Sequence, residues 1–229
     1  MTAFIRAPDT WGLLLRTIDI RPRQLTYIVT SGQEIIAACG DIVNIYDAVA
    51  GTLQQSISVS ETVTKIKTSP DGSTLFFVHS SSVTMWDIQT GGHIHTFTTQ
   101  SEVNNIAIST SGNHIACGSL DGSVASWNIR TKKEGKSFRK GQPVVTICWL
   151  SPQELAVATQ NYLYICSVTT GETLNTLPIS GHVWGMVYFE DKDELLVGTS
   201  QPGQGDDQEL CSFETISVDR EQLVRWKVY

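Results

Sequence analysis

The stretch "GSLDGSVASWNI", residues 118–129, has the pattern of two β-strands joined by a tight turn. Asp121-Gly122 is a favoured pair for a two-residue hairpin turn, because the central residues of that turn adopt positive φ. The flanking segments are short, contain Ser, Val and Ala, and end in Trp127 and Asn128. The pattern therefore predicts a β-hairpin at this point of the chain.

The strand after this turn recurs at a nearly constant interval. Residues 123–138 align without gaps with three further segments, residues 42–57, 82–97 and 162–177. One aligned position is occupied in turn by Tyr46, Trp86, Trp127 and Cys166, at steps of 40, 41 and 39 residues. We place Trp226 at this position in a fifth copy, 60 residues after Cys166, so the last repeat carries an insertion. Periods of about 40 to 45 residues built only from strands are typical of β-propeller blades.

Each copy predicts four short strands. In the second copy they are residues 63–69, 74–79, 82–88 and 93–97, with turns such as "SPDG" between them. We therefore expect one all-β domain over residues 1–229, a β-propeller of about five four-stranded antiparallel blades. Residues 12–18 resemble the outer strand of a blade, and we expect them to pair with the last blade and close the ring. An arc of a larger ring is the alternative.

The repeat marks resemble those of the WD-repeat (WD40) β-propeller family. They include Trp86-Asp87, the Asp121-Gly122 turn and Gly181-His182. The resemblance implies a hydrogen-bonded tetrad of Trp, Ser or Thr, Asp and His in each ideal blade. The matching residues are Trp127, Ser119 and Asp121 in the third copy, and His182 and Trp226 in the fifth. Tyr46 and Cys166 replace the Trp in the first and fourth copies, so the repeats are degenerate, and five copies are fewer than the family's usual number of about seven.

Composition and charge exclude several classes of partner. A formal net charge of −7 opposes attraction of the whole chain to nucleic acid or to an anionic membrane. No apolar run is as long as a membrane helix, and the start of the chain is interrupted by Arg6, Pro8 and Asp9. The five cysteines have no C-x-x-C spacing, so we expect reduced core residues. We expect a soluble cytoplasmic protein, with the nucleus as the alternative.

Candidate catalytic and metal-binding patterns are weak. The segment "GTSQPGQG", residues 198–205, lacks the Gly-Lys-Ser/Thr ending of a phosphate-binding loop. His93 and His95 lie two apart on a predicted strand, which would place both on one side, but no third ligand is identifiable. The acidic runs at residues 190–194 and 205–209 lack the spacing of a calcium loop. We therefore expect no enzyme activity, no cofactor and no metal site.

The function that we predict is recognition of a protein or peptide on one propeller face. The residues that open the innermost strands would point at the narrow face and the central channel. The predicted partner-binding residues among them are Trp184, Tyr27, Lys65, Thr64, Asn104 and Asn105. Trp184 has the properties of a binding hot spot, although packing in the channel is an equal alternative. The sequence does not indicate the oligomeric state.

A membrane-lipid function is the alternative prediction. The segment "RTKKEGKSFRKG", residues 130–141, is the most basic part of the chain. Its end, "FRKG", resembles the Phe-Arg-Arg-Gly motif of the phosphoinositide-binding propellers. The resemblance implies that Arg139 and Lys140 would hold a lipid head group, although Lys140 replaces the second Arg of the motif. A solvated outer rim is the interpretation that we favour for this segment.

Overall fold

The computed structural model describes residues 2–5, 16–19, 25–202, 209–218 and 223–228, and side chains within 25–200, 211–213 and 215–217. The described residues form five four-stranded antiparallel sheets and one two-stranded sheet, with no helix among them. The chain divides into two compact units, Met1–Thr98 and Thr99–Tyr229. The all-β prediction is confirmed, whereas the single domain over residues 1–229 stays a prediction.

The first unit contains the two-stranded sheet and the first two four-stranded sheets. Strands β1 (Thr2–Ile5) and β2 (Arg16–Asp19) pair with each other. The first sheet comprises β3 (Tyr27–Ser31), β4 (Glu34–Cys39), β5 (Ile42–Asp47) and β6 (Leu53–Ser58). The second sheet comprises β7 (Lys65–Thr68), β8 (Thr74–His79), β9 (Ser82–Asp87) and β10 (His93–Thr98). Consecutive strands are neighbours in both, so each sheet is a meander.

The second unit contains the other three sheets. The third comprises β11 (Val103–Ile108), β12 (His114–Ser119), β13 (Ser123–Asn128) and the short β14 (Phe138–Arg139). The fourth comprises β15 (Thr146–Ser151), β16 (Glu154–Ala158), β17 (Tyr162–Ser167) and β18 (Thr173–Pro178). The fifth comprises β19 (His182–Phe189), β20 (Glu194–Pro202), β21 (Glu209–Val218) and β22 (Leu223–Val228). Each of the five repeats thus forms one sheet.

The second strand of each sheet forms the centre of the core. All six residues of β8, "TLFFVH", are buried, as expected for a continuous apolar run that is covered on both faces. The hairpin from β12 to β13 turns at Gly122, whose φ is +83°. A Cβ at Gly122 would lie 2.5 Å from the carbonyl oxygen of Gln142, so only glycine fits there. The turn thus lies where it was predicted, but its central residues are Leu120 and Asp121, because the Gly122 amide donates to the Ser119 carbonyl at 3.1 Å. Only Gly122 of the Asp121-Gly122 pair has positive φ.

Sheets within a unit pack face to face through their second and third strands. One apolar cluster joins the first sheet to the second, one joins the third to the fourth, and one joins the fourth to the fifth. In the last of these clusters, Ala156 and Leu163 of the fourth sheet pack with Leu195 and Val197 of the fifth. Burial of these faces against each other provides the main hydrophobic stabilisation of each unit.

The register of the fifth repeat differs from the prediction. The aligned third-strand residues of the first four sheets pair with Ile35, Leu75, Ile115 and Leu155, which lie 40 residues apart. Leu195 continues this series, and its partner is Ile216 of β21, which is 2% exposed. Trp226 instead lies in the fourth strand, β22, opposite Thr215. Its predicted place is therefore wrong, because the insertion lengthens the β20–β21 hairpin and displaces β22 along the sequence.

The predicted closing strand is also wrong. All four strands of the fifth sheet come from residues 182–228, so the last repeat supplies its own outer strand, β22. Residues Arg16–Asp19 pair with Thr2–Ile5 in a separate sheet. The other residues of the predicted strand, 12–15, lie outside the described residues. A third-strand position for Trp226 would leave the fifth repeat without an outer strand, whereas β22 provides that strand in the structure.

Candidate protein-binding site

The first strands of the five sheets have equivalent residues at or near their starts. Strand pairing places Tyr27, Lys65, Asn105, Thr146 and Gly185 opposite residues 38, 78, 118, 158 and 198, which lie at steps of 40. The residues immediately before them are Thr26, Thr64, Asn104, Val145 and Trp184. The repeat register behind the predicted binding residues is therefore correct, whereas their role in binding stays a prediction.

In the first unit, Tyr27 and Lys65 lie side by side on adjacent sheets. The Lys65 ammonium is 6.0 Å from the centre of the Tyr27 ring, at the limit of a cation–π interaction. Burial, and after it the charge of Lys67, lower the pKa of Lys65. The exposed Thr64 donates its hydroxyl to the carbonyl of Val78 at 3.2 Å. These residues thus present an aromatic ring and a cation together at the start of their strands.

In the second unit, two asparagines join the third sheet to the fourth. Asn104 donates its side-chain amide to the carbonyl of Val144 at 2.8 Å, and Asn105 donates to the carbonyl of Val145 at 3.4 Å. Thr26 makes the same kind of link in the first unit, since its hydroxyl lies 3.1 Å from the carbonyl of Val63. We infer that the donors of Asn104 and Asn105 hold neighbouring sheets together.

Trp184 is the most prominent exposed residue of the fifth sheet. A β-bulge interrupts the pairing of β19 with β20 between Val183 and Gly185, so Trp184 has no residue opposite it. Val183 is 6% exposed and belongs to the core, whereas Trp184 is 69% exposed. A Trp that exposes this much of its apolar surface to water is a common feature of interaction sites. The geometry therefore does not support the alternative that Trp184 is buried packing.

The two cations of the predicted lipid site have contacts within the protein. The Arg139 guanidinium pairs with the Asp121 carboxylate, and its Nε donates to the Asp121 carbonyl at 3.0 Å. The Lys140 ammonium lies 4.9 Å from the ring centre of Phe138 and 4.8 Å from that of Tyr164. It also donates to the hydroxyl of Thr173 at 2.5 Å. Arg139 thus contacts the turn of its own sheet, whereas Lys140 contacts the third and fourth strands of the fourth sheet.

The residues of the expected tetrad have different roles in the structure. Asp121 accepts hydrogen bonds from the backbone amide and the hydroxyl of Ser123, at 3.0 and 2.6 Å. Those bonds, with the charge of Arg139, lower the pKa of Asp121. Ser119 and Trp127 are buried at 1% and 6% exposure, whereas His182 is exposed at the start of β19. Asp121 therefore caps its own turn and holds Arg139.

The second sheet shows a comparable arrangement around Trp86. Asp87 caps the following turn by accepting bonds from the amide and hydroxyl of Thr90, at 2.7 and 2.8 Å. The His93 ring meets Trp86 edge-on at 5.4 Å. A bulge separates His93 from His95, which lie opposite Trp86 and Met85 and hence on opposite faces. The prediction that both histidines face one side is wrong, and no metal-binding cluster occurs among the residues whose side chains are described.

Sequence reasoning missed a cavity between the third and fourth sheets. It has a volume of about 780 Å³, and its lining includes His114, Trp127, Trp149, Lys133 and Lys136. The His114 ring lies 5.5 Å from the Trp149 ring, and its buried Nδ1 has no hydrogen-bond partner. The outer strand of this sheet, β14, has only two residues, and the loop before it borders the cavity. Because residues 123–138 align without gaps with the other copies, the repeat pattern carries no signal of this shortened strand.

Comparison with known proteins identifies the repeat. Residues 91–128, which contain β10 to β13, match the WD40 family model, "WD domain, G-beta repeat". Over these residues the chain is similar to a WD40 repeat. WD40 repeats generally serve as scaffolds for protein interactions, and propellers of this family are typically non-catalytic. Among the described residues no helix is long and apolar enough to span a bilayer.

A solved structure supports the fold of the chain. A chain of Kuenenia stuttgartiensis hydrazine synthase superposes with a TM-score of 0.74 over 89% of this chain and 66% of that chain, at 15% sequence identity. At this identity the likeness shows the fold alone. The chain has a β-propeller fold in which the five described four-stranded antiparallel sheets are the blades.

Proposed function

We propose that this chain is a non-catalytic platform that binds a protein or peptide where the first strands of the sheets begin, with Trp184 as the main anchor. The observation that supports the proposal is the 69% exposure of the Trp184 side chain. Large aromatic side chains contribute a disproportionate share of binding energy when a partner removes them from water. The chain is proposed to act in the cytoplasm, with the nucleus as the alternative, which imaging of a fluorescently tagged chain distinguishes.

The partner that fits Trp184 has an apolar or proline-containing segment. An indole offers a flat apolar face and one N–H donor, so it binds aliphatic or prolyl groups beside a carbonyl acceptor. The neighbouring His182 is exposed, and Gly185 carries no side chain that would obstruct a partner. An extended peptide is therefore the ligand shape that this part of β19 accommodates most easily.

The test is affinity capture with Trp184→Ala and a matched control. Leu174→Ala removes an apolar side chain that is 52% exposed on β18, in the same unit but on an outer strand. Captured proteins from the source cell are quantified by mass spectrometry for the wild type and both variants. We expect a defined set that Trp184→Ala loses and Leu174→Ala retains. Equal capture by all three chains, or equal loss in both variants, would refute the role of Trp184.

The lipid alternative has less support from the structure. A head group would have to replace the Asp121 contact of Arg139, and the ring and hydroxyl contacts of Lys140. Since a surface ion pair is worth only about 0–1 kcal/mol, this replacement is not prohibitive. No observation favours it over the protein-binding function, however, and it stays a prediction that the flotation experiment below examines.

A further inference from the structure

The fifth sheet has an uncovered face that its equivalents in the other four sheets lack. In each sheet this face is defined by two cross-strand pairs. Each pair consists of a residue of the second strand and the residue opposite it on the third strand. In the first four sheets all of these residues are buried: Ile36, Ala38, Val43 and Ile45; Phe76, Val78, Val83 and Met85; Ala116, Gly118, Val124 and Ser126; Ala156, Ala158, Leu163 and Ile165.

In the fifth sheet the same positions are occupied by Leu196, Gly198, Phe213 and Thr215. Phe213 is 55% exposed, and the other three residues are only partly buried. The Phe213 ring lies over Gly198, within 3.5 Å of where a Cβ would be. The residues equivalent to Phe213 in the other four sheets are fully buried; they are Val43, Val83, Val124 and Leu163. Phe213 is thus half exposed although it is the largest of the five side chains.

The first strand of the fifth sheet extends this apolar face. Val187 is 53% exposed and Phe189 is 40% exposed, and they alternate with Met186 and Tyr188, which pack on the inner cluster with the fourth sheet. We call Val187, Phe189, Leu196, Phe213 and Thr215 the outer face. None of these residues is charged, and exposed apolar patches of this kind mark interaction surfaces.

The interfaces already described show what fits on the outer face. Between the fourth and fifth sheets, the equivalent residues Ala158, Leu163 and Ile165 are covered by apolar residues of another sheet. The first-to-second and third-to-fourth interfaces use the same positions. The outer face therefore continues an interface that the chain forms repeatedly, and the surface that fits it is the apolar face of a β-sheet.

We propose that a second copy of this chain supplies that surface, with the two outer faces packed against each other. The opposite face of the first sheet cannot serve, because Ile35, Ala37, Cys39 and Tyr46 are at most 7% exposed. A head-to-tail arrangement of copies therefore has no free face to use, whereas outer face against outer face is a self-complementary contact. A contact of this type closes at a dimer and forms no filament.

The test is the association state of the whole chain across a dilution series, measured by sedimentation velocity. We expect a reversible monomer–dimer equilibrium in the wild type. Phe213→Lys or Val187→Lys places a charge in the centre of the contact and should each weaken the dimer at least about tenfold in dissociation constant. Leu174→Lys changes an equally exposed apolar residue away from the outer face and should leave the equilibrium unchanged.

Three results would overturn the proposal. They are a wild type that is monomeric throughout the series, a dimer that both outer-face variants retain, and a series of larger oligomers without a dimer endpoint. Circular dichroism of each variant provides the folding control. Since Phe213 and Val187 lie on different strands, one folded variant is enough for the test. Failure here leaves the role of Trp184 untouched, because that role is measured by capture of a different protein.

Discussion

The register of the fifth sheet gives a sharp prediction about stability. Replacement of Ile216 by Ala should lower the free energy of unfolding by about 3 kcal/mol, in the range of about 2–5 kcal/mol seen for buried Ile-to-Ala changes. Ile216 is 2% exposed, pairs with Leu195 and belongs to the cluster that contains Val183 and Val197. The change removes three carbon groups at about 0.8 kcal/mol each and leaves a cavity among neighbours that are themselves tightly packed.

The measurement is urea unfolding followed by tryptophan fluorescence, at a concentration at which the chain is monomeric. Leu174→Ala is the control, because the Leu174 side chain is 52% exposed and its loss should cost less than about 1 kcal/mol. A midpoint for Ile216→Ala within error of the wild type would refute the placement of Ile216 in the core. So would equal destabilisation by the two variants, which would mean that burial does not distinguish the two positions.

Three further predictions concern the links between and around the sheets. Asn104→Ala should lower stability by about 0.5–1.5 kcal/mol, measured by urea unfolding, because it removes the 2.8 Å bond to the Val144 carbonyl. Asp121 has a lowered pKa in the folded chain, so its stabilising contribution is present above its unfolded pKa of about 3.9 and is lost as pH falls through the folded value. Asp121→Asn should therefore reduce the acid sensitivity of thermal unfolding, and an unchanged pH profile would contradict this. In liposome flotation with phosphoinositides, the wild type and the double variant Arg139→Ala, Lys140→Ala should both stay unbound, and binding that only the variant loses would favour the lipid function.

The first four sheets could be predicted from the sequence because their signals are local. Each has a second strand of mostly apolar residues, a turn with Gly or Pro, and a marker residue at an interval of about 40 positions. The fifth could not be aligned by its Trp, because the insertion lies inside the repeat. The second-strand series Ile35, Leu75, Ile115, Leu155 and Leu195 keeps the period, and it was the signal that identifies the correct register.

The candidate site was less predictable because its features depend on partners that are distant in sequence. The strand starts were located correctly, but the acceptors of Asn104 and Asn105 lie 40 residues away. The contacts of Arg139 with Asp121 and of Lys140 with Tyr164 likewise join residues whose proximity no local pattern encodes. The sequence could therefore indicate which residues begin the first strands. Only the structure shows which of their side chains already have partners within the chain.

Trp184 and Asn104 occupy the same bulge position in two sheets but have different surroundings. The pairing of the first strand is interrupted at the same place in both, between Val103 and Asn105 and between Val183 and Gly185. In the third sheet the bulged residue reaches the carbonyl of Val144, where the fourth sheet begins. In the fifth sheet the bulged residue is an exposed Trp, and the outer face beside it is uncovered as well. We therefore expect both proposed contacts, that of a partner with Trp184 and that of a second copy with the outer face, to involve the fifth sheet, where the insertion lengthens the β20–β21 hairpin.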